Sequence, residues 1–325
     1  MIHCKQWLRP LAMGIALLGA ATFAQAQSGY PSRPIKLVVG FAPGGGTDII
    51  ARMVAQPLSQ RLGQQVVVDN KPGASGAIAN ELVKNGDADG YTLLIGASGA
   101  MAINPAVYNK LSYDPVNDYA PITVLGTYPI VFSAKHSLPI KTTSELIAYA
   151  KQKPEALTYG AAGVLFQLTT ELFSQQAGIK MTYVPYKGSG PATAAILGGE
   201  IDLLVADIAP ALPLITSNRV QPIAITSAKR SSVLPNVPTV AESGLPGFQV
   251  DVFVGLFAKA GTPAEIVRRL HAELAEVLKQ PELRQQMAKM GIEPGGMSPA
   301  DTGAMLKREI ARYTDAANRA KIKLD

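Results

Sequence analysis

The residues best suited to chemistry lie in one stretch, Gly40-Phe41-Ala42-Pro43-Gly44-Gly45-Gly46-Thr47-Asp48. It follows Ile35-Lys36-Leu37-Val38-Val39, an apolar run of the kind that forms a buried strand. It leads at once into a helical pattern that places Ile49, Ile50, Met53, Val54, Leu58 and Leu62 on one side, with Thr47 or Asp48 available as its cap. A bare glycine loop between a strand end and a helix N-terminus leaves several backbone N–H groups pointing outward. The helix dipole adds roughly half a positive charge there. The chemistry this predicts is the holding of an anion.

Templates for bond-making chemistry fail in turn. Gly44-Gly45-Gly46-Thr47 lacks the Lys-Ser/Thr ending of a P-loop, so a nucleotide has no lysine where it needs one. The spacing is not that of a dinucleotide fingerprint, and Asp69 at a strand end is weak support for one. Neither Gly99 nor Gly190 stands in a Gly-x-Ser-x-Gly elbow. His136 follows a lysine in a loop and His271 lies in a helix among Arg269 and Glu273, positions that suit solvated or packed side chains. Asp87 and Asp89 fall in turn-like sequence. No catalytic set, metal site or cofactor is expected.

The elements that position the loop alternate, strand then helix, which predicts an α/β fold with largely parallel sheets. Pro57 falls inside the first helix, removes its bond to Met53 and is expected to bend the last turn. Val66 to Val68 and Tyr91 to Gly96 read as strands, with a helix capped by Ser75 between them. Ile122 to Leu125 and Ile130 to Ser133 read as two further strands. The pattern then restarts. Leu157 to Gly163 repeats the strand-to-glycine form, Met181 to Val184 leads to the loop Pro185-Tyr186-Lys187-Gly188-Ser189-Gly190, and Ile201 to Val205 ends in Ala206-Asp207. Pro191 fits the first position of the helix after that loop. Region 157–227 thus echoes region 35–104, as a second lobe of similar construction. A strand over 251–258 and three helices between Pro263 and about Ala320 complete the chain.

Composition limits the function classes. With 47% hydrophobic and 17% charged residues, the 325-residue chain is a well-buried globular one, long enough for two domains. Lys5 and Arg9, the apolar run Leu11 to Ala24 and the small-x-small sequence Ala24-Gln25-Ala26 read as a signal peptide cut after Ala26. Export by the general route to the periplasm is expected. Removal of residues 1–26 takes Lys plus Arg from 30 to 28 against 24 acidic residues, so the charge falls from +6 to +4, and it removes Cys4 and Trp7. A mature chain without cysteine has no disulfide or thiol chemistry. Its modest, dispersed charge does not suggest nucleic acid.

Several segments, in order along the chain, carry a resemblance. They are Phe41 to Arg52 (FAPGGGTDIIAR), Val66 to Gly76 (VVVDNKPGASG), Asp89 to Leu94 (DGYTLL), Ala102 to Pro105 (AINP), Val184 to Ala192 (VPYKGSGPA) and Leu234 to Phe248 (LPNVPTVAESGLPGF). The sequence resembles the Bug (TctC-like) family, the extracytoplasmic solute receptors of tripartite tricarboxylate transporters. The resemblance implies a class II periplasmic-binding-protein fold, with two lobes joined by two crossing strands and the ligand cleft between them. Lobe 1 would be 27–127 plus 249–325, and lobe 2 would be 128–248. It implies that a ligand carboxylate is held near Phe41, Pro43, Gly44, Gly45, Gly46, Thr47 and Asp48, with Thr47 and Asp48 orienting the loop and its waters. Ser98 would donate from the third strand end, and opposing contacts would come from Gly160, Ala161, Ala162, Gly163, Tyr186, Gly188 and Asp207.

Three departures from the family pattern bear on the ligand. The loop Gly160 to Leu168 is about two residues shorter and lacks a hydroxyl and a histidine, Met101 stands where a histidine is frequent, and Phe253 replaces a tryptophan. They point to a less polar carboxylate, aromatic or aliphatic, over citrate or an amino acid. The partners implied are that small carboxylate and the membrane subunits of a transporter, with the receptor a monomer. Two alternatives differ in kind: an exported sensor of the same fold feeding a signalling partner, and an exported hydrolase using Ser98 or Ser189.

Overall fold

The computed structural model describes residues 29–320 and 322–324, so the signal-peptide reading of 1–26 lies outside the described residues. The chain folds as β1 (Ile35–Val39), α1 (Gly46–Leu62), β2 (Val66–Asn70), α2 (Ala77–Lys84), β3 (Thr92–Ala97), a π-helical turn (Gly99–Ile103), α3 (Asn104–Val107) and β4 (Tyr119–Lys135). It continues with α4 (Thr143–Gln152), β5 (Thr158–Ala162), α5 (Val164–Ala177), β6 (Thr182–Tyr186), α6 (Ser189–Gly198), β7 (Leu203–Asp207), α7 (Ile208–Thr216) and β8 (Val220–Ile225). The last part holds β9 (Asp251–Lys259), α8 (Ala264–Lys279), α9 (Pro281–Lys289), β10 (Glu293–Pro294) and α10 (Pro299–Ala320).

The main sheet path runs β2-β1-β3-β9-β4-β7-β5-β6. β1 pairs in parallel with β2 and β3, and β5 does the same with β6 and β7, so each lobe is built on a central parallel strand. Helices cover these strands, and Ile35, Leu37, Val38 and Val39 are fully buried, which is why β1 is apolar apart from the exposed Lys36.

β4 corrects the expectation of two short strands at 122–125 and 130–133. It is one 17-residue strand that changes partner along its length. Tyr119 to Pro129 pairs antiparallel with β9, and Ile130 to Lys135 pairs with β7 and β8. Pro129 has no N–H to donate and sits where the partner changes, so the ladder switches without leaving a donor unpaired. β4 is therefore one crossing between the lobes. The return crossing is shorter. Thr226 N–H donates to Ile130 O and Val250 N–H donates to Thr226 O, and the chain enters β9 one residue later.

Other local expectations shift for clear reasons. α1 continues through Pro57 to Leu62, and Gly63 closes it with φ 68°. Ser75 does not cap α2. Gly73, Ala74, Ser75 and Gly76 all have positive φ, and α2 starts only at Ala77. α6 starts two residues ahead of Pro191, at Ser189. Among the described residues no helix is long and apolar enough to cross a membrane.

Thr226 ties both crossings together. Its fully buried hydroxyl accepts from the Ile130 N–H at 2.9 Å and donates to the Val250 carbonyl at 2.5 Å. Thr226→Val leaves a buried N–H and a carbonyl without this partner, and is expected to cost about 1–3 kcal/mol. Urea unfolding measures it, as a lower midpoint at unchanged slope.

Candidate functional site

A cavity of about 20 Å³ lies at the strand ends between the lobes, with a wider mouth of about 160 Å³ in front of it. Its floor is the N-terminus of α1. Gly45 is the N-cap and offers no side-chain bond to the first turn, so Thr47 and Asp48 lie inside the helix and do not cap it. Asp48 instead steadies the loop from beneath. Its Oδ2 accepts from Gly44 N–H at 3.0 Å, and Arg52 and Asn70 bond the same carboxylate. Burial opposes its ionisation, but the bonds from Arg52, Gly44 and Asn70 outweigh it and hold the carboxyl below its ordinary value. Asn70 also donates to Phe41 O at 3.0 Å, which fixes the loop before the glycines.

The opposite wall comes from lobe 2. Asp207 ends β7, is 4% exposed, and reaches across to α1. Its Oδ2 accepts from Gly46 N–H at 2.8 Å and from the Ser189 hydroxyl at 3.1 Å, whereas its buried Oδ1 has no hydrogen-bond partner. The Tyr128 hydroxyl of β4 lies beside both Thr47 and Asp207. Burial is the largest influence on Asp207 and pushes its carboxyl up to about 6 against the bonds from Gly46, Ser189 and Tyr128. Burial and the neighbouring Asp207 raise the Tyr128 phenol far above its ordinary value, so it stays a neutral donor.

Between these polar ends the lining is apolar: Phe41, Ala97, Ala162, Val164, Leu165, Phe166 and Val252. The lobes touch at the rim. A Cβ on Gly188 would lie 3.0 Å from Ala42 Cβ, and one on Gly190 would lie 3.3 Å from Pro43 O.

The residues expected from sequence fall into three groups. Phe41, Gly45, Thr47, Ala162, Gly188 and Asp207 line the cavity, and Gly163 and Tyr186 border its mouth. Gly46 and Asp48 lie behind the lining and act through Asp207 and Gly44 respectively, while Pro43 and Gly44 form the rim. Gly160 and Ala161 are buried in β5, where the Ile201 side chain and the Tyr186 ring crowd the place of a side chain on Gly160. Ser98 takes a different role. It is fully buried, and its hydroxyl accepts from Phe253 N–H at 2.8 Å, pinning β9 to the end of β3. Met101 and Phe253 are buried as well, and neither lines the cavity, so of the three departures only the 160–168 loop supplies the apolar lining, through Val164, Leu165 and Phe166.

Sequence reasoning missed Tyr128, Ser189, Ser75 and Val252 as lining residues. Ser75 and Ser189 stand inside the quoted segments VVVDNKPGASG and VPYKGSGPA, where Ser75 reads as a helix cap and Ser189 enters only as the nucleophile of the hydrolase alternative. Tyr128 and Val252 belong to the crossings, which have no glycine loop to mark them. The hydroxyls of Ser98 and Ser189 bond to the Phe253 backbone and to Asp207, and His136 contacts Asn218 O.

Two outcomes are expected. A Cβ on Gly46 would fall 2.6 Å from Tyr128 Cζ, so Gly46→Ala forces the ring or the helix aside and lowers stability by about 1–3 kcal/mol in thermal or denaturant unfolding. Asp207 binds its proton more tightly folded than unfolded. The stability this gives is fully present below the ordinary carboxylate range and is lost as pH rises through about 6. Between about pH 4 and about pH 7 the wild type should therefore lose up to about 3 kcal/mol relative to Asp207→Asn, read as diverging melting temperatures.

Comparison with known proteins places this geometry. Residues 50–320 match the family model described as the tripartite tricarboxylate transporter family receptor, TctC. BugT of Bordetella pertussis is 34% identical over 326 residues, covering 99% of this chain and 100% of BugT. A solved structure of R. palustris Rpa4515 with adipate is 39% identical, with a TM-score of 0.88, over 91% of this chain and 99% of that one. MatC from Rhodopseudomonas palustris with bound malate is 33% identical, with a TM-score of 0.84, over 88% and 99%. Its segments, its two-lobed fold and these matches agree, and the chain belongs to the TctC family of tripartite tricarboxylate transporter receptors.

Proposed function

We propose that the protein captures a small organic carboxylate in the periplasm and delivers it to the membrane subunits of a tripartite tricarboxylate-type transporter. The observation that carries this reading is the cavity floor. The N-terminus of α1, through Gly45 and Thr47, lines a space whose remaining walls are mostly apolar and whose lining includes no lysine or arginine. Such a floor suits one carboxylate, with a carbon chain or ring extending past Leu165 and Phe166. The relatives solved with adipate and with malate support the same ligand class.

The receptor reading assigns no covalent step to any residue. Export would use the segment 1–26, cut after Ala26, and the mature protein would act as a monomer. Its lobes, 27–127 with 249–325 and 128–248, would open for entry, because a cavity of about 20 Å³ has room for roughly one water. Closure would be a hinge motion about β4 and the Thr226–Val250 crossing.

Thermal shift with a panel of carboxylates tests this reading. A monocarboxylate or dicarboxylate with an aliphatic or aromatic body, at 100 times its dissociation constant, should stabilise the protein by about 2.7 kcal/mol. Stabilisation by citrate-like polycarboxylates alone would sink the preference for a less polar ligand. No response to any carboxylate, with a non-acidic molecule retained in native mass spectrometry, would overturn the function.

A further inference from the structure

Asp207 already holds the position that a ligand carboxylate needs. One of its oxygens takes the Gly46 N–H at 2.8 Å and the Ser189 hydroxyl at 3.1 Å, and the other is buried and unpartnered beside the cavity. A ligand carboxylate brought onto the same helix end would put two anions into one dry space, an arrangement in which one of the two must accept a proton.

Among the described residues no cation is shown close enough to relieve the pair. The elements packed against β7, which Asp207 ends, are β4, β5, α5, α6 and α7, and the N-terminus of α1 bonds Asp207 itself. β5, α6 and α7 contain no charged residue. β4 contributes Lys135, which is bonded to Asp202 at 2.6 Å, and Tyr128, which stays neutral. α5 contributes Glu171, which accepts from the Tyr159 hydroxyl. α1 contributes Asp48 with Arg52, paired to each other, and Arg61, paired with Glu273. Lys187 is exposed at the mouth and does not line the inner cavity.

We infer that ligand binding takes up one proton at Asp207. Without ligand, the ionised Asp207 carboxylate is the anion held on the α1 N-terminus, and it clasps the lobes through Gly46. When a ligand carboxylate takes that place, a proton from solvent moves onto Asp207, and the neutral acid donates its O–H to a ligand oxygen. The inner site then carries one negative charge both before and after binding. The proton costs little, because burial has already raised the carboxyl to about 6. The inference rests on the carboxylate reading of the site, and its test separates the two.

The test is isothermal titration of the mature protein with adipate, hexanoate, benzoate and malate at about pH 7.5, in buffers of different ionisation enthalpy. The dependence of the heat on buffer counts the protons. For the carboxylates that bind, the inference expects about one proton taken up per site and an affinity that weakens roughly tenfold per pH unit between about pH 7 and about pH 8.5. In Asp207→Asn the pH slope should flatten to under about twofold per unit, whatever the affinity of the variant. Binding without proton uptake, or an unchanged slope in Asp207→Asn, overturns the inference and leaves the carboxylate reading standing. The proton count on the wild type decides the matter even if the variant fails to fold. Absence of binding by all four carboxylates ends both.

Discussion

One contact organises the cleft: the Gly46 N–H of lobe 1 donating to the Asp207 carboxylate of lobe 2 at 2.8 Å. A helix N-terminus left without a side-chain cap needs an acceptor, and a carboxylate buried without a cation needs a donor. Each satisfies the other across the gap between lobes. Gly46 allows it because a side chain there would strike the Tyr128 ring, which itself lies against the Asp207 end of the cavity. The same contact joins the two lobes and places a carboxylate on the α1 N-terminus.

The surroundings keep that contact in register. Asp48, Arg52 and Asn70 fix the glycine loop from behind, where the charges of Asp48 and Arg52 satisfy each other. On the other side, β4 carries Tyr128 just before Pro129, where the strand changes partner, and Asp207 is the residue paired with Ile130 immediately beyond. The polar end of the site therefore sits at the pivot of the crossing strand.

Much of this was legible in the sequence. The strand-loop-helix unit at Ile35 to Leu62 and its echo after Leu157 follow local rules of apolar periodicity and glycine placement, and these positioned Phe41, Thr47, Ala162, Gly188 and Asp207 at strand ends. What escaped was decided by long-range geometry. Gly126 to Pro129 looks like a turn in isolation, yet strand partners on each side hold it extended. Ser98 has the type and place of a ligand donor, but antiparallel β9 brings the Phe253 N–H to it first. Thr47 and Asp48 resemble caps, but the N-cap is Gly45, two residues ahead of Thr47, and Asp207 of lobe 2 accepts the Gly46 N–H where no capping side chain does. The apolar lining was expected from three departures: the 160–168 loop supplies it through Leu165 and Phe166, whereas Met101 and Phe253 face the core.

The most direct measurement of the central claim is a crystal structure of the protein with adipate bound. The account predicts a carboxylate oxygen at hydrogen-bond distance, about 3 Å, from the backbone N–H of Gly46 or Thr47, with Asp207 turned from Gly46 toward the ligand and the chain lying against Leu165 and Phe166. Adipate seated elsewhere, with the Gly46–Asp207 bond intact, would contradict it.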